Sequence, residues 1–312
     1  MANASHRMRH EELLTGLSAY EEQHGSLPGI ADPIARATLV EQLISSLRRI
    51  EYVLRFRHRP MVSPERINPH SPLFDPLKGA FFLDSQGARD EAVWLTFVAT
   101  HFGKHVSDGW KLAGNVFGSF GDGPIWTLEH YKEHVNDFEA MLVEHQADLE
   151  AKSVSGRFSN HRQYQSKKAE KISLVFSTFH EWLIGAGGMN SRVRAIHLQV
   201  GQEPTAVFRE LYGSLGTVYG FGRLGTFDFL TMLDKLDLAP IRADSVHFSG
   251  ATGPLAGAKL LLLGSTDANT KTKALEKAID SLDDYLNVGK QVLEDSLCNW
   301  QKSPTQYVYF RG

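Results

Sequence analysis

The chain has 312 residues, 42% of them hydrophobic and 22% charged, with a formal net charge of −3. That is enough apolar material for a large core, and it excludes disorder and a strongly basic nucleic-acid coat. The lone cysteine, Cys298, excludes an internal disulfide, a cysteine zinc cluster and an iron–sulfur cluster.

In chain order, the polar start Met1 to Met8 has no apolar stretch that reads as a signal peptide. Glu11 to Glu22 is amphipathic and ends at Gly25. Pro33 opens a long helical pattern over Ile34–Phe56, with Leu39, Leu43, Leu47, Ile50 and Leu54 on one face. Residues 58–80 carry Pro60, Pro64, Pro69, Pro72 and Pro76 and read as an irregular crossing. Helices are predicted over Ala88–His101, Val106–Phe117, Leu128–Asp148, Lys168–Ile184, Pro204–Tyr212, Thr226–Leu236 and Lys273–Leu297. Gly156–Gln165 and Gly185–Asn190 read as loops, and Thr217–Tyr219 and Ala195–Val200 are short strand candidates. The apolar run Leu255–Leu263 is broken by Gly257 and Lys259 and is too short to span a bilayer. The expectation is a mainly α, two-lobed protein, with an N-terminal helical lobe at 1–165 and a C-terminal lobe at 166–312. A cytoplasmic location is the plain reading, with no membrane partner.

Charge is uneven along the chain. Arg48, Arg49, Arg55, Arg57, His58 and Arg59 stand against Glu51. Lys152, Arg157, Arg162, Lys167, Lys168 and Lys171 stand against Glu170, with Phe158, His161 and Tyr164 interleaved. Two basic patches on an acidic molecule suit a phosphate track, and the alternative is a pair of solvated faces. Arg157, Asn160, His161, Arg162, Gln163, Tyr164, Lys167 and Lys168 form the expected strand-contacting loop.

Gly220-Phe221-Gly222-Arg223-Leu224-Gly225 matches G-x-G-x-x-G. A dinucleotide fold would also require alternating strands and helices, which are missing. A helix, a glycine turn and a second helix instead make a helix–hairpin–helix, whose backbone N–H groups and helix dipole favour a phosphate. Gly220, Gly222, Arg223 and Gly225 are therefore expected to hold the DNA backbone. His101/His105 and His130/His134 have i, i+4 spacing without a third ligand or an H-E-x-x-H pattern, so no metal and no cofactor are expected. The tryptophans read mostly as core, with one or two available to stack on an extruded base.

The hairpin also resembles that of helix–hairpin–helix DNA glycosylases, whose catalytic Asp follows about twenty residues later. Asp244 lies twenty-two residues after Gly222. Arg223 and Leu224 stand where bifunctional members carry a nucleophilic Lys, so the resemblance is to the monofunctional kind.

A broader resemblance, from about residue 40 to 302, is to the α-glutamyl/putrescinyl-thymine pyrophosphorylase family of phage base-hypermodification systems and to related anti-phage glycosylases. It is carried by the hairpin with Leu233-Asp234-Lys235-Leu236, and by Ser249–Pro254 with Gly257, similar to an A-G-P-G turn. Glu294-Asp295-Ser296-Leu297-Cys298-Asn299 is similar to E-x-x-L-C-E, and Arg89-Asp90-Glu91 to an R-x-x-D segment. Asn299 replaces the family's second Glu, and Arg223-Leu224-Gly225 departs from its usual hairpin run.

The resemblance implies a mainly α, helix–hairpin–helix glycosylase-like fold and phage DNA with modified bases as partner. The first expectation is a monofunctional DNA glycosylase that excises a bulky pyrimidine, glucosylated hydroxymethylcytosine as the best single guess, leaving abasic sites as antiviral defence. Asp244 would be its carboxylate, with Asp228 and Asp234 behind it, and Arg89, Asp90, His247, Glu294 and Asn299 would line the base pocket. The alternative is a transferase that displaces pyrophosphate from an activated hydroxymethyl pyrimidine. A DNA-binding module without catalysis is the third reading.

Overall fold

The computed structural model describes residues 2–55, 62–160 and 164–309, and among these no strand forms. The chain divides into two compact units, one of residues 1–53 with 243–312 and the other of residues 54–242. Residue 165 lies inside the second unit.

In chain order the helices are α1 (Ala2–His24), α2 (Pro33–Leu54), α3 (Pro76–Ser85), α4 (Arg89–Phe102), α5 (Lys111–Phe117), α6 (Leu128–Glu133), α7 (Val135–Glu144) and α8 (Gln146–Glu150). They continue as α9 (Ile172–Ile184), α10 (Met189–Val200), α11 (Pro204–Ser214), α12 (Arg223–Leu236), α13 (Gly253–Leu263), α14 (Thr272–Leu286) and α15 (Lys290–Trp300).

In the first unit, Leu13, Leu17 and Tyr20 of α1 and Leu39 and Leu43 of α2 share a core with Leu261, Ile279, Val292, Leu297 and Trp300. Trp300 donates its indole N–H to the Ala35 carbonyl at 3.2 Å, satisfying the one polar atom of a fully buried ring. Glycines set the approach of these helices. A Cβ at Gly257 would sit on the Leu297 carbonyl, and one at Gly253 on the Cys298 sulfur. The glycine-rich Ser249–Pro254 segment and the Glu294–Asn299 segment are thus the two sides of one close α13–α15 contact.

The second unit is built on α4, buried along most of its length. Phe97 stacks on Phe179 with ring centroids 3.9 Å apart, and Trp94 meets Phe176 edge-on. The Trp94 indole donates to the Trp126 carbonyl at 2.8 Å. Trp94, Trp126, Trp182 and Trp300 are all buried, so none is a stacking platform at the surface.

Several boundaries differ from the sequence expectations. Ala195–Val200 is the end of α10, and Leu215–Thr217 is a 3-10 turn, so neither strand candidate forms. Residues 105–109 make a turn closed by His105 and Gly109, which delays α5 to Lys111. The predicted Leu128–Asp148 helix breaks at His134 and His145. In a continuous helix residues seven apart stand about 10.5 Å apart along the axis. The break at His134 brings the Tyr131 and Phe138 rings to 5.1 Å, and both then pack on Phe176. Lys273–Leu297 splits at Asn287 and Gly289, both at positive φ, and the apolar run from Leu255 becomes α13.

Candidate functional site

The glycine motif forms the turn that leads from α11 into α12. Gly220 has φ +72°, where a side chain would be strained. Phe221 anchors the turn, its ring centroid 6.0 Å from Phe97 and 5.8 Å from Phe229. Gly222 caps α12 with extended backbone and no side-chain hydrogen bond. First-turn N–H groups have no acceptor within their own helix. A Cβ at Gly213, Gly216 or Gly222 would meet nothing within 4 Å, and one at Gly225 only the Gly220 carbonyl at 4.0 Å. Packing inside the chain therefore does not require these four glycines. Of these, Gly222 and Gly225 leave bare backbone at the positive, N-terminal end of the α12 dipole.

Lys167 reaches this turn. Its Nζ lies 3.5 Å from the Gly220 carbonyl, 3.4 Å from His101 Nδ1 and 5.7 Å from the Phe221 ring centroid. Burial pushes its pKa down to about 8, and among the described residues it has no carboxylate partner. His101, at the end of α4, is 2% exposed and packed among Phe97, Phe102, Phe158 and Phe176. Burial, with the adjacent lysine, holds it well below the usual imidazole range. A neutral ring accepts from Lys167 at Nδ1, which puts its own proton on Nε2, an atom with no partner among the described residues.

The rest of the basic loop is tied down locally. Arg157 forms two hydrogen bonds to Asp108, at 2.9 and 2.8 Å, and this contact draws the Asp108 carboxyl down to about 2. Asn160 accepts from the Val106 N–H at 3.2 Å, and Tyr164 donates to the Thr100 carbonyl at 2.9 Å. Lys168 faces Glu170 at 3.7 Å on the surface. His161, Arg162 and Gln163 lie outside the described residues, as do Arg57, His58 and Arg59.

Asp244 is in the first unit, where its Oδ1 meets His247 Nε2 at 2.8 Å. His247 has φ +47°, a conformation uncommon for a residue with a Cβ. Its segment is fixed by α14, with the Val246 N–H donating to Asp280 and the Phe248 N–H to Glu276. Asn299 donates to Asp295 at 3.0 Å and accepts from Lys302 at 3.1 Å, and Asp295 also pairs with Arg49. Glu294 is buried on α15. Asp228 and Asp234 are half-buried on α12.

Arg89 and Asp90 serve the fold of the second unit. Arg89 binds Asp84 through two nitrogens, at 2.9 and 3.3 Å, and Asp90 caps α10 by accepting from the Met189 N–H at 2.8 Å. The neighbouring Glu91, which no sequence signal beyond its motif singled out, lines a cavity of about 470 Å³. Leu83, Leu95, Ile67, Phe117 and Ile125 wall the cavity, and Asn68 and Thr127 add polar atoms. Glu91 accepts from the Leu128 N–H at 2.9 Å and the Glu129 N–H at 3.0 Å. Burial pushes its pKa up, and these two hydrogen bonds oppose the rise. Along α4 Glu91 and His101 are ten residues, or about 15 Å, apart.

Residues 34–312 match the family described as alpha-glutamyl/putrescinyl thymine pyrophosphorylase clade 3. The chain belongs to this family. No curated protein and no solved structure matches it. Membership in this pyrophosphorylase family overturns the expected glycosylase. Its description is of transferase-type chemistry on a thymine base, whereas a glycosylase hydrolyses the bond between base and sugar. Excision of glucosylated hydroxymethylcytosine falls with it. That expectation leaned on the spacing of Asp244 from the hairpin, and a spacing fixes no reaction. No described helix of this pyrophosphorylase-family chain is long and apolar enough to cross a membrane.

Proposed function

We propose that the protein is a DNA base-hypermodification transferase that displaces pyrophosphate from an activated hydroxymethyl group on a pyrimidine. The observation that carries this reading is the family match across residues 34–312. The bare glycine hairpin with Lys167 beside it supports DNA as the substrate.

In the reaction, a nucleophile such as a primary amine attacks the exocyclic methylene carbon. The carbon–oxygen bond to the pyrophosphoryl group breaks, its electron pair leaves on pyrophosphate, and the proton of the amine passes to a base. The Gly220–Gly225 turn, Arg223 and Lys167 hold backbone phosphates, and Arg157, Asn160, Tyr164 and Lys168 border that track.

The test is duplex DNA carrying one 5-(pyrophosphoryloxymethyl) pyrimidine, incubated with the protein and an amine. Release of inorganic pyrophosphate with a matching mass gain on the base is the expected result. Loss of the base, or release of pyrophosphate with water as the only acceptor across a panel of amines, would count against the transferase.

A further inference from the structure

We propose that the cavity beside α3 and α4 receives the pyrimidine ring, and that Glu91 and Asn68 read the ring's N3–H and carbonyl edge. The proposal rests on the transferase reading only in taking a pyrimidine of DNA as the substrate.

An enzyme that works at the exocyclic carbon of a base must take that base out of the stack and hold it. The cavity of about 470 Å³ lies in the range of small-molecule sites. Its walls supply apolar contact for a flat ring from Leu83, Leu95, Ile67, Phe117 and Ile125.

Its polar lining is Glu91, Asn68, Thr127 and the exposed Glu65. The two backbone donors at the start of α6 hold the Glu91 carboxylate, one on each oxygen. Each oxygen keeps a second lone pair, so the group presents acceptors to the cavity. Asn68 Oδ1 accepts from the His70 N–H at 3.0 Å, which orients the amide and leaves Nδ2 without a partner among the described residues. A carboxylate acceptor and an amide donor lining one cavity match the N3–H and a ring carbonyl of a uracil-type base. A cytosine-type base offers a lone pair at N3, which the carboxylate repels. A site whose polar groups go unpaired with the wrong ligand discriminates strongly against it.

The fold explains the rigidity of this arrangement. Glu91 sits in the first turn of a buried helix, fastened to α6 through its carboxylate and flanked by Asp90, which is fastened to α10. Glu91 and Asp90 are therefore each fixed by capping a neighbouring helix.

The experiment uses the full chain without DNA and titrates free 5-hydroxymethyl-2′-deoxyuridine and 5-hydroxymethyl-2′-deoxycytidine, followed by saturation-transfer NMR. The expected result is binding of the uridine and at least about tenfold weaker binding of the cytidine. Leu83→Trp, which fills the half-buried rim of the cavity, should abolish the uridine signal. Asn68→Ala should weaken it about fivefold, a typical loss for one hydrogen bond. Glu91→Gln should erase the preference between the two nucleosides, since an amide offers a donor as readily as an acceptor. Should that variant lose helix content through the damaged α6 cap, the Leu83 and Asn68 variants still decide the matter. Equal binding of both nucleosides, uridine binding that survives Leu83→Trp, or no binding to the unmodified chain would each overturn the proposal. No pyrophosphate and no strand are present, so a failure of the transferase assay reads separately from this one.

Discussion

At the scale of single residues, Lys167 is the group whose position fits the fold worst. A half-buried ammonium without a carboxylate costs stability, and such cost gathers at sites of function. Its pKa near 8, against 10.5 for a free lysine, gives the cost a pH signature. Between those two values the unfolded chain binds the extra proton, so stability rises with pH across that window, and the penalty is complete below 8. Lys167→Met should therefore raise the melting temperature at pH 7 and lose this advantage as pH approaches 10.5. The same variant should bind DNA more weakly. A lower melting temperature at pH 7 would make Lys167 a structural residue.

At the scale of elements, glycines separate into two kinds. Gly257 and Gly253 are demanded by the close α13–α15 packing, while Gly213 and Gly222 are demanded by nothing inside the chain. Gly257→Ala should destabilise the first unit by about 1–3 kcal/mol, as overpacking does. Gly213→Ala should stabilise α11 by about 0.5–1 kcal/mol, the ordinary helix gain over glycine. A urea titration of each variant separates the two; destabilisation by Gly213→Ala would reveal a packing role for that backbone.

The sequence carried much of this scale. The helical class, the glycine turn before α12 and the long α2 follow from apolar spacing and glycine placement. The break at His134 was not legible, because no Gly or Pro marks it and its cause is tertiary: Tyr131 and Phe138 both seat on Phe176. Lys167 could be read as part of a basic run, whereas its contact with Gly220 and His101 joins residues far apart in sequence. Arg157 showed the reverse. Its charge drew attention in the sequence, and the fold spends that charge on Asp108.

At the scale of the whole molecule, the net charge of −3 opposes approach to DNA, so the proposed binding rests on short-range contacts. Repulsion between groups farther apart than about 8 Å is screened at physiological salt. The dependence of affinity on salt therefore reports the phosphates held locally, about 0.9 in the log–log slope for each one on duplex DNA. Counting basic residues along the loop assigns equal shares to Arg157, Lys167 and Lys168, but the structure divides them. Arg157 is neutralised by a bidentate contact with Asp108, while Lys167 has no carboxylate partner among the described residues. Lys167→Met should lower the slope by about one phosphate's worth, and Arg157→Ala should leave it unchanged. Asp108→Asn should raise it, because the guanidinium is then released to meet a phosphate. Salt titrations of duplex binding across the three variants check all of this together. A slope that falls equally for Arg157→Ala and Lys167→Met would mean that Arg157 leaves Asp108 when DNA arrives, and that the loop rearranges around the strand.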